Sequence, residues 1–535
     1  MTRTGFRRSL ARAASRIFKW PFKWPRGALY RKLIAIAVIL ALAGLGYWIW
    51  WAFLRQDLTC AAGVAKQEVG GECVGVTDGS YVFTPSLKQV FDRIKAENDS
   101  VAGKNPAGVA LMIPMISDNA AEQKEFTEQV QGAYLAQHRA NHQDNHKRPP
   151  IRLLLANPGR GYRYAKFAAD KLGASAASDK ENLRAVAGIN ISIDASKDAV
   201  RYLTNEKKIP VVAGPMTADD IANSASGPNQ FPGLARVAPG NTDQANALAA
   251  FGAKIKPGET QLVADSREGD NYLTSLRETF QRLAKDAPHE PETYKSPDDF
   301  NDEGNLSNDF NAMVSGICSS DAKTLYFAGR PVQLRQFLIE LGNRNCSKKH
   351  YTVISGSHAS TLTVDEKFAD QWGALTKGAG ITVRYAALAH PDAWGDKSNL
   401  ATGGSKAAAK ELSDLLARAT GGTPNSIGDA TLADGRVIIT YDAVTTAITG
   451  IRNSTRGTVK MPTLSEVSNS WLRLHGTNRV NGASGWICLD QYGNPDNKAV
   501  PIVHLDPATR TAVFDRIAWP AGQAPDANCS IRKKG

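Results

Sequence analysis

Short apolar runs alternate with longer amphipathic stretches from Pro106 onward. The runs at 108–113, 151–156, 185–189, 209–213, 261–264, 324–328, 351–355 and 381–388 have the length and Val/Ile/Leu content of buried strands. Between them, 121–138, 162–172, 242–254, 272–283, 332–341 and 406–419 place apolar residues at helical spacing. Strand followed by helix, repeated along the chain, predicts parallel strands joined by right-handed crossovers, an α/β architecture. The ~430 residues after Pro106 exceed what one core holds, so two lobes are expected. Residues 55–105, with their own cysteine pair and a Gly70-Gly71 turn, read as an extracytoplasmic stalk or cap.

One run has a different character. Residues 33–54 carry no charge over 22 positions, ~33 Å as a helix, and are predicted to cross a membrane. Ten Lys or Arg precede or border it, from Arg3 to Lys32, and the first acid is Asp57. Positive charge stays inside, which makes 1–32 a basic cytoplasmic segment and everything after Leu54 extracytoplasmic. Tyr47, Trp48, Trp50, Trp51 and Phe53 crowd the far end, where rings favour the outer interface. A cleaved signal would be shorter and end in small residues, so the helix is expected to stay as a single-pass anchor in the cell membrane.

That placement changes the meaning of the net charge of +12. Ten of the positive charges lie at the N-terminal side of the span, and the remainder of the chain is near neutral, which excludes a phosphate-neutralising nucleic-acid surface. Six cysteines in an exported chain invite disulfides. Several connectivities are open, and the simplest pairs neighbours: Cys60 with Cys73, Cys318 with Cys346, Cys488 with Cys529. Cys60 is not expected to carry lipid, because Asp57 stands where a lipid-attachment box needs an aliphatic residue.

Enzyme and cofactor motifs are incomplete. Gly159-Arg160-Gly161 starts a dinucleotide fingerprint, but Tyr164 fills the third glycine position. Tyr162 and Lys166 have dehydrogenase spacing without that fingerprint, and Gly482-Ala483-Ser484-Gly485 lacks the strand–turn–helix context of a nucleophile elbow. Ser357 and His358 are the nearest hydrolase candidates, yet neighbours on a loop usually point apart. His138, His142 and His146 are spaced by four along one helix face, a zinc-compatible pattern. The polar segment ending in Pro149-Pro150 predicts fraying before His146 and a solvated helix end, so neither metal nor cofactor is expected.

In open parallel sheets ligands sit beyond the carboxyl ends of strands. The corresponding loops here are rich in Gly and small polar residues: 114–118, 157–159, 214–217, 265–272, 329–331 and 355–358. The ordered runs IPVVAGPMTADD, FPGLARVAPGNTDQANALAAFGA, LVADSREGDNYLTSLRETF, LYFAGRPVQLRQFLIEL, YDAVTTAI and GASGWICLDQYGNPDNKAVPIV resemble the type I periplasmic-binding-protein superfamily, in particular its branched-chain amino acid receptor-like members. The resemblance spans Pro106 to about Pro507. It implies two Rossmann-like lobes joined by three crossovers that close on a small ligand, with lobe 1 near 106–255 and 378–480 and lobe 2 near 256–377 and 481–535. It also implies first-lobe contacts at Ser117, Asp118, Met216 and Thr217, with Tyr272, Gly329, Arg330 and Ser357 in the second lobe. Asp270 or Asp442 would meet a ligand amine; a helix cap and a structural hydrogen bond are their competing roles. The implied function is solute binding for an ABC-type uptake system, without catalysis. A retained anchor also raises the alternative of a sensing ectodomain acting through a membrane signalling partner.

Overall fold

The computed structural model describes residues 27–532 apart from 55–57, 145–147, 225–228, 252–254, 300–301, 396–399, 421, 423–424 and 456–459. The chain forms two units, residues 1–58 and 59–535. In the first, the apolar run lies within one continuous helix, Ala28–Leu54, whose side chains are described over 32–47. No helix among the described residues is long and apolar enough to cross a membrane. The basic residues Arg3 to Arg26 of the expected cytoplasmic segment lie outside the described residues.

The second unit is built on two sheets. The first runs in the order β1 (Thr59–Ala61), β2 (Val64–Lys66), β3 (Cys73–Thr77), β5 (Ile151–Asn157), β4 (Ala107–Met112), β6 (Leu183–Gly188), β7 (Val211–Ala213), β8 (Leu234–Arg236). From β5 to β8 every pairing is parallel, whereas β3 joins β5 antiparallel. The second sheet runs β10 (Glu292–Tyr294), β9 (Thr260–Asp265), β11 (Thr324–Ala328), β12 (Tyr351–Ser355), β13 (Ile381–Ala386), β16 (Val500–Asp506), β17 (Thr511–Ala518), parallel up to β13 and antiparallel beyond it. A small hairpin, β14 (Val480–Gly482) with β15 (Gly485–Ile487), packs on the first-lobe core through Val480 and Ile487. Central strands are buried on both faces, which accounts for their nearly continuous apolar sequence.

Three differences from the sequence reading concern lobe membership. Residues 59–77 are no stalk: β3 extends the first sheet and the Lys88–Ser100 helix packs into its core through Val90, Phe91 and Ile94. Strand β13 pairs with β12, so the chain leaves the second lobe after Ala386 rather than at 378. The hairpin at 480–487 stays with the first lobe, which moves the last crossing toward Val500. The chain therefore passes between sheets after β8, after β13 and before β16. All three disulfides join neighbours: Cys60–Cys73, Cys318–Cys346 and Cys488–Cys529.

Two long helices form the first lobe's spine, Ala120–His142 and Arg436–Ser454. They approach closely at Gly132, where a Cβ would stand 2.5 Å from the Val437 carbonyl oxygen. Asn119 caps the first helix by accepting the Glu122 N–H. That helix is polar in sequence yet buries Glu125, Glu128, Gln129 and Gln131, because it is sandwiched between the sheet and other helices.

Candidate functional site

Strand ends from both lobes face one another across a cleft, and the lobes touch at its floor. The Tyr272 N–H donates to the Ser192 carbonyl at 3.0 Å and the Asp194 N–H to the Gly269 carbonyl at 3.2 Å. Ser275 Oγ donates to Asp219 Oδ2 at 2.9 Å, and Asn271 Nδ2 to Asp220 Oδ2 at 2.7 Å. Each pair joins a first-lobe loop or helix start to the Asn271–Leu283 helix or the loop before it.

A chain of buried charges lies above this floor. Asp270 caps the Asn271–Leu283 helix by accepting the Leu273 N–H at 3.1 Å. The same carboxylate receives Arg330 through Nε at 2.9 Å and Nη2 at 2.8 Å, and Arg267 as well. The Arg330 guanidinium sits 4.6 Å from the Tyr272 ring centre, and its Nη1 lies 2.9 Å from His358 Nδ1. His358 Nε2 in turn faces Glu125 Oε2 at 3.8 Å. Glu125, from the first lobe, is held by Arg436 Nη2 at 3.2 Å and accepts from Thr361 of the second lobe. The protein's own charges thus bridge the lobes at the strand ends.

Burial dominates the protonation of these groups, and neighbours decide which way each one settles. Burial alone would raise the Glu125 carboxyl, but Arg436 and hydrogen bonds from His358 and Thr361 outweigh it and hold it at about 2. Burial pushes His358 down to about 4, against the pull of Glu125. Burial opposes ionisation of Asp270 too, and Arg330 with Arg267 overcomes it and keeps the carboxyl below its usual range. The Tyr272 hydroxyl is pushed up to about 12 by burial.

What space remains falls into two parts. An inner space of about 20 Å³ is lined by Asn190, Ser192, Thr217, Tyr272, Arg330, Ser357, His358 and Arg436 among others, room for roughly one water. An outer cavity of about 1170 Å³ opens toward the start of the Ala120–His142 helix and is lined from both lobes, a volume suited to a small solute. Twelve Asp or Glu and five Arg or Lys line it, so its charge is acidic. Asp298, Asp299, Asp302, Glu303, Asp365 and Glu366 supply the second-lobe side.

The two-lobed fold recurs in solved structures. A leucine-binding protein of Thermotoga maritima superposes with a TM-score of 0.54 at 17% identity, covering 78% of this chain and 100% of its own. An isoleucine-bound branched-chain amino acid transporter substrate-binding protein of Streptococcus pneumoniae gives 0.54 at 13%, covering 78% and 100%. A solute-binding protein of an R. palustris ABC transporter, bound to 4-hydroxybenzoate, gives 0.52 at 16%, covering 77% and 96%. The chain has the type I periplasmic-binding-protein fold. No protein-family profile matches the sequence, and no curated protein matches it.

Within this periplasmic-binding-protein fold the residues singled out from the sequence divide into groups. Ser117, Asp118 and Asp270 line the outer cavity; Ser117 Oγ donates to Glu122, and Asp118 pairs with Arg160. Thr217, Tyr272, Arg330 and Ser357 line the inner space. Met216, Gly329 and Asp442 line neither. Met216 is fully buried, with its carbonyl accepting from Arg236 at 3.3 Å. At Gly329 a side chain would run into Tyr294 and Phe327. Asp442 accepts from the Ala483 and Ser484 N–H groups, both at 2.8 Å, inside the first-lobe core. As a hydrolase pair Ser357 and His358 fail on geometry, since the imidazole nitrogens face Arg330 and Glu125.

Sequence reasoning missed Glu125, Arg436, Ser192 and the acids at 298–303. Arg436 carried a usable signal: an arginine opening the apolar run VIITYDAV implies a buried acidic partner.

Proposed function

We propose that the protein is a membrane-anchored, extracytoplasmic solute-binding protein that holds a small, amino-acid-like ligand between two lobes and delivers it to an ABC-type permease. The observation that carries this reading is the cavity of about 1170 Å³ lined by strand-end loops of both lobes. Its acidic lining favours a ligand with at least one cationic group, an amine or guanidine, which second-lobe carboxylates such as Asp298 and Glu366 would meet, Glu303 and Asp365 being paired with Arg335. Ser117 and Asn190 would add hydroxyl and amide contacts from the walls, while Asp270 stays engaged by Arg330 and Arg267. No bond is made or broken; burial between the lobes and a few polar contacts orient the ligand. Support for anchoring comes from the uncharged 33–54 run and the basic residues before it. The same anchor supports a second reading, a sensing ectodomain that signals through a membrane partner.

Thermal unfolding of residues 56–535 against amino acids, diamines, amides, sugars and aromatic acids tests the proposal. At a hundredfold its dissociation constant a true ligand adds about 2.7 kcal/mol, a visible rise in midpoint. Cationic or zwitterionic compounds should give that rise, and it should shrink with added salt. A rise only with neutral sugars or aromatic acids would refute the ligand class, and a flat response to every compound would refute solute binding in this cleft.

A further inference from the structure

Far from the cleft, at the opposite end of the Ala120–His142 helix, three side chains converge that the solute-binding reading does not use. The helix stays regular through His142, so His138 and His142 stand one turn apart with ring centres 4.3 Å apart. His146, the third histidine of the sequence pattern, lies outside the described residues. The third group comes from elsewhere: Glu97, on the Lys88–Ser100 helix, turns its carboxylate to both rings. Glu97 Oε2 lies 3.0 Å from His142 Nε2 and 3.6 Å from His138 Nδ1, and one donor atom from each of the three residues falls within 4.8 Å of the others. In a tetrahedral zinc site with bonds of ~2.0–2.1 Å, donor atoms sit roughly 3.4 Å apart. The spacing here brackets that value.

The surroundings orient the donors. Asn141 Nδ2 donates to Glu97 Oε1 at 2.9 Å, which leaves Oε2 for the imidazoles. Asn141 is itself tied to β5, accepting the Ile151 N–H at 2.8 Å and donating to its carbonyl at 3.0 Å. The Tyr134 ring stacks on His138 at 5.7 Å and fixes the plane of its imidazole. His138 Nδ1 is buried yet makes no hydrogen bond. Such outer partners are what hold ligands of a metal in place. His142 is about half exposed, which leaves an entry path and a position for water.

We propose that Glu97, His138 and His142 form a binding site for a divalent transition-metal cation, best suited to Zn2+, that clips the Lys88–Ser100 helix to the end of the Ala120–His142 helix. Two imidazoles and one carboxylate favour zinc and its neighbours over Mg2+ and Ca2+, which need more oxygen ligands. The site is independent of the proposed solute cleft.

The test uses the untagged full-length protein in detergent, dialysed against chelator and titrated with ZnCl2 by calorimetry. One saturable site per chain is expected, with Mg2+ and Ca2+ silent, and with a Co2+-loaded sample showing the visible bands of a four-coordinate ion. His142→Ala, at a half-exposed position that tolerates truncation, should weaken zinc binding at least tenfold, and Glu97→Gln should do the same while keeping its Asn141 contact. Zinc should raise the unfolding midpoint of the wild type and not that of the His142→Ala protein. Absence of a saturable site, or affinity unchanged in both variants, would overturn the proposal.

Discussion

Acidification should weaken the join between the lobes, and His358 is where the effect begins. His358 is buried against Glu125 and Arg330, and burial brings its pKa from 6.5 to about 4. The folded protein therefore holds the imidazole neutral through a range where the unfolded chain binds a proton, so stability rises with pH between about 4 and 6.5 and falls on acidification. A displacement of this size corresponds to about 3 kcal/mol, most of it lost by the time the pH reaches the mid-4 range. Glu125 does not confuse that window. Its carboxyl is held at about 2 against an ordinary 4.5, so its contribution is complete above 4.5 and is lost only below. His390, also pushed down by burial, acts with the same sign, so the comparison must be between proteins rather than between pH values alone. The assay is urea denaturation of wild type and His358→Gln at several pH values from 7 to 4.5. The wild-type stability should fall by about 2 kcal/mol more than that of the variant over this range. Parallel pH dependences for the two proteins would refute the reasoning, because they would mean the imidazole is as easily protonated in the folded state as in the unfolded chain.

Three further outcomes follow from buried groups and close approaches. Burial beside Asp434 raises the Glu128 carboxyl far above its usual range, so this group contributes stability at low pH that is lost as pH rises through and beyond the ordinary carboxyl range; Glu128→Gln should be more stable than wild type at pH 8 in chemical denaturation, with the gain shrinking toward pH 4. Asp442→Ala should orphan the buried Ala483 and Ser484 N–H groups and cost about 2–5 kcal/mol of unfolding free energy, while ligand-induced midpoint shifts persist. Gly132→Ala should force apart the two spine helices and lower stability by about 1–3 kcal/mol, read by the same denaturation curves.

The parallel strands were legible because each is buried on both faces and therefore nearly continuous in apolar residues, as in 108–113 or 324–328. The edge elements were not. Strands β1 to β3 are three to five residues long and pair antiparallel, so 59–77 looked like a stalk rather than the margin of a sheet. Strand β13 gave a clear strand signal, but nothing local says which sheet it joins; only its register with β12 does. At the site, loops were found from periodicity, yet side-chain roles were not. Asp442 was offered either to a ligand amine or to a structural hydrogen bond, and only its place in a helix buried on every side over 436–448 shows the second, while the polar sequence around Glu125 masks its burial. The Glu97 carboxylate that faces His138 and His142 is some forty positions away in the chain, and no spacing rule reaches it.

The Cys488–Cys529 disulfide joins two points on either side of β16 and β17. Cys488 follows the hairpin on the first lobe, and the tail beyond β17 returns so that the Cys529 carbonyl accepts the Gly476 N–H and Arg532 reaches Asp496. The two strands are thereby enclosed in a covalent ring. A pulling force on the C-terminus would pass from Cys529 straight to Cys488 and bypass β16 and β17. Reduction would send the same force through β17 and peel it from its edge first.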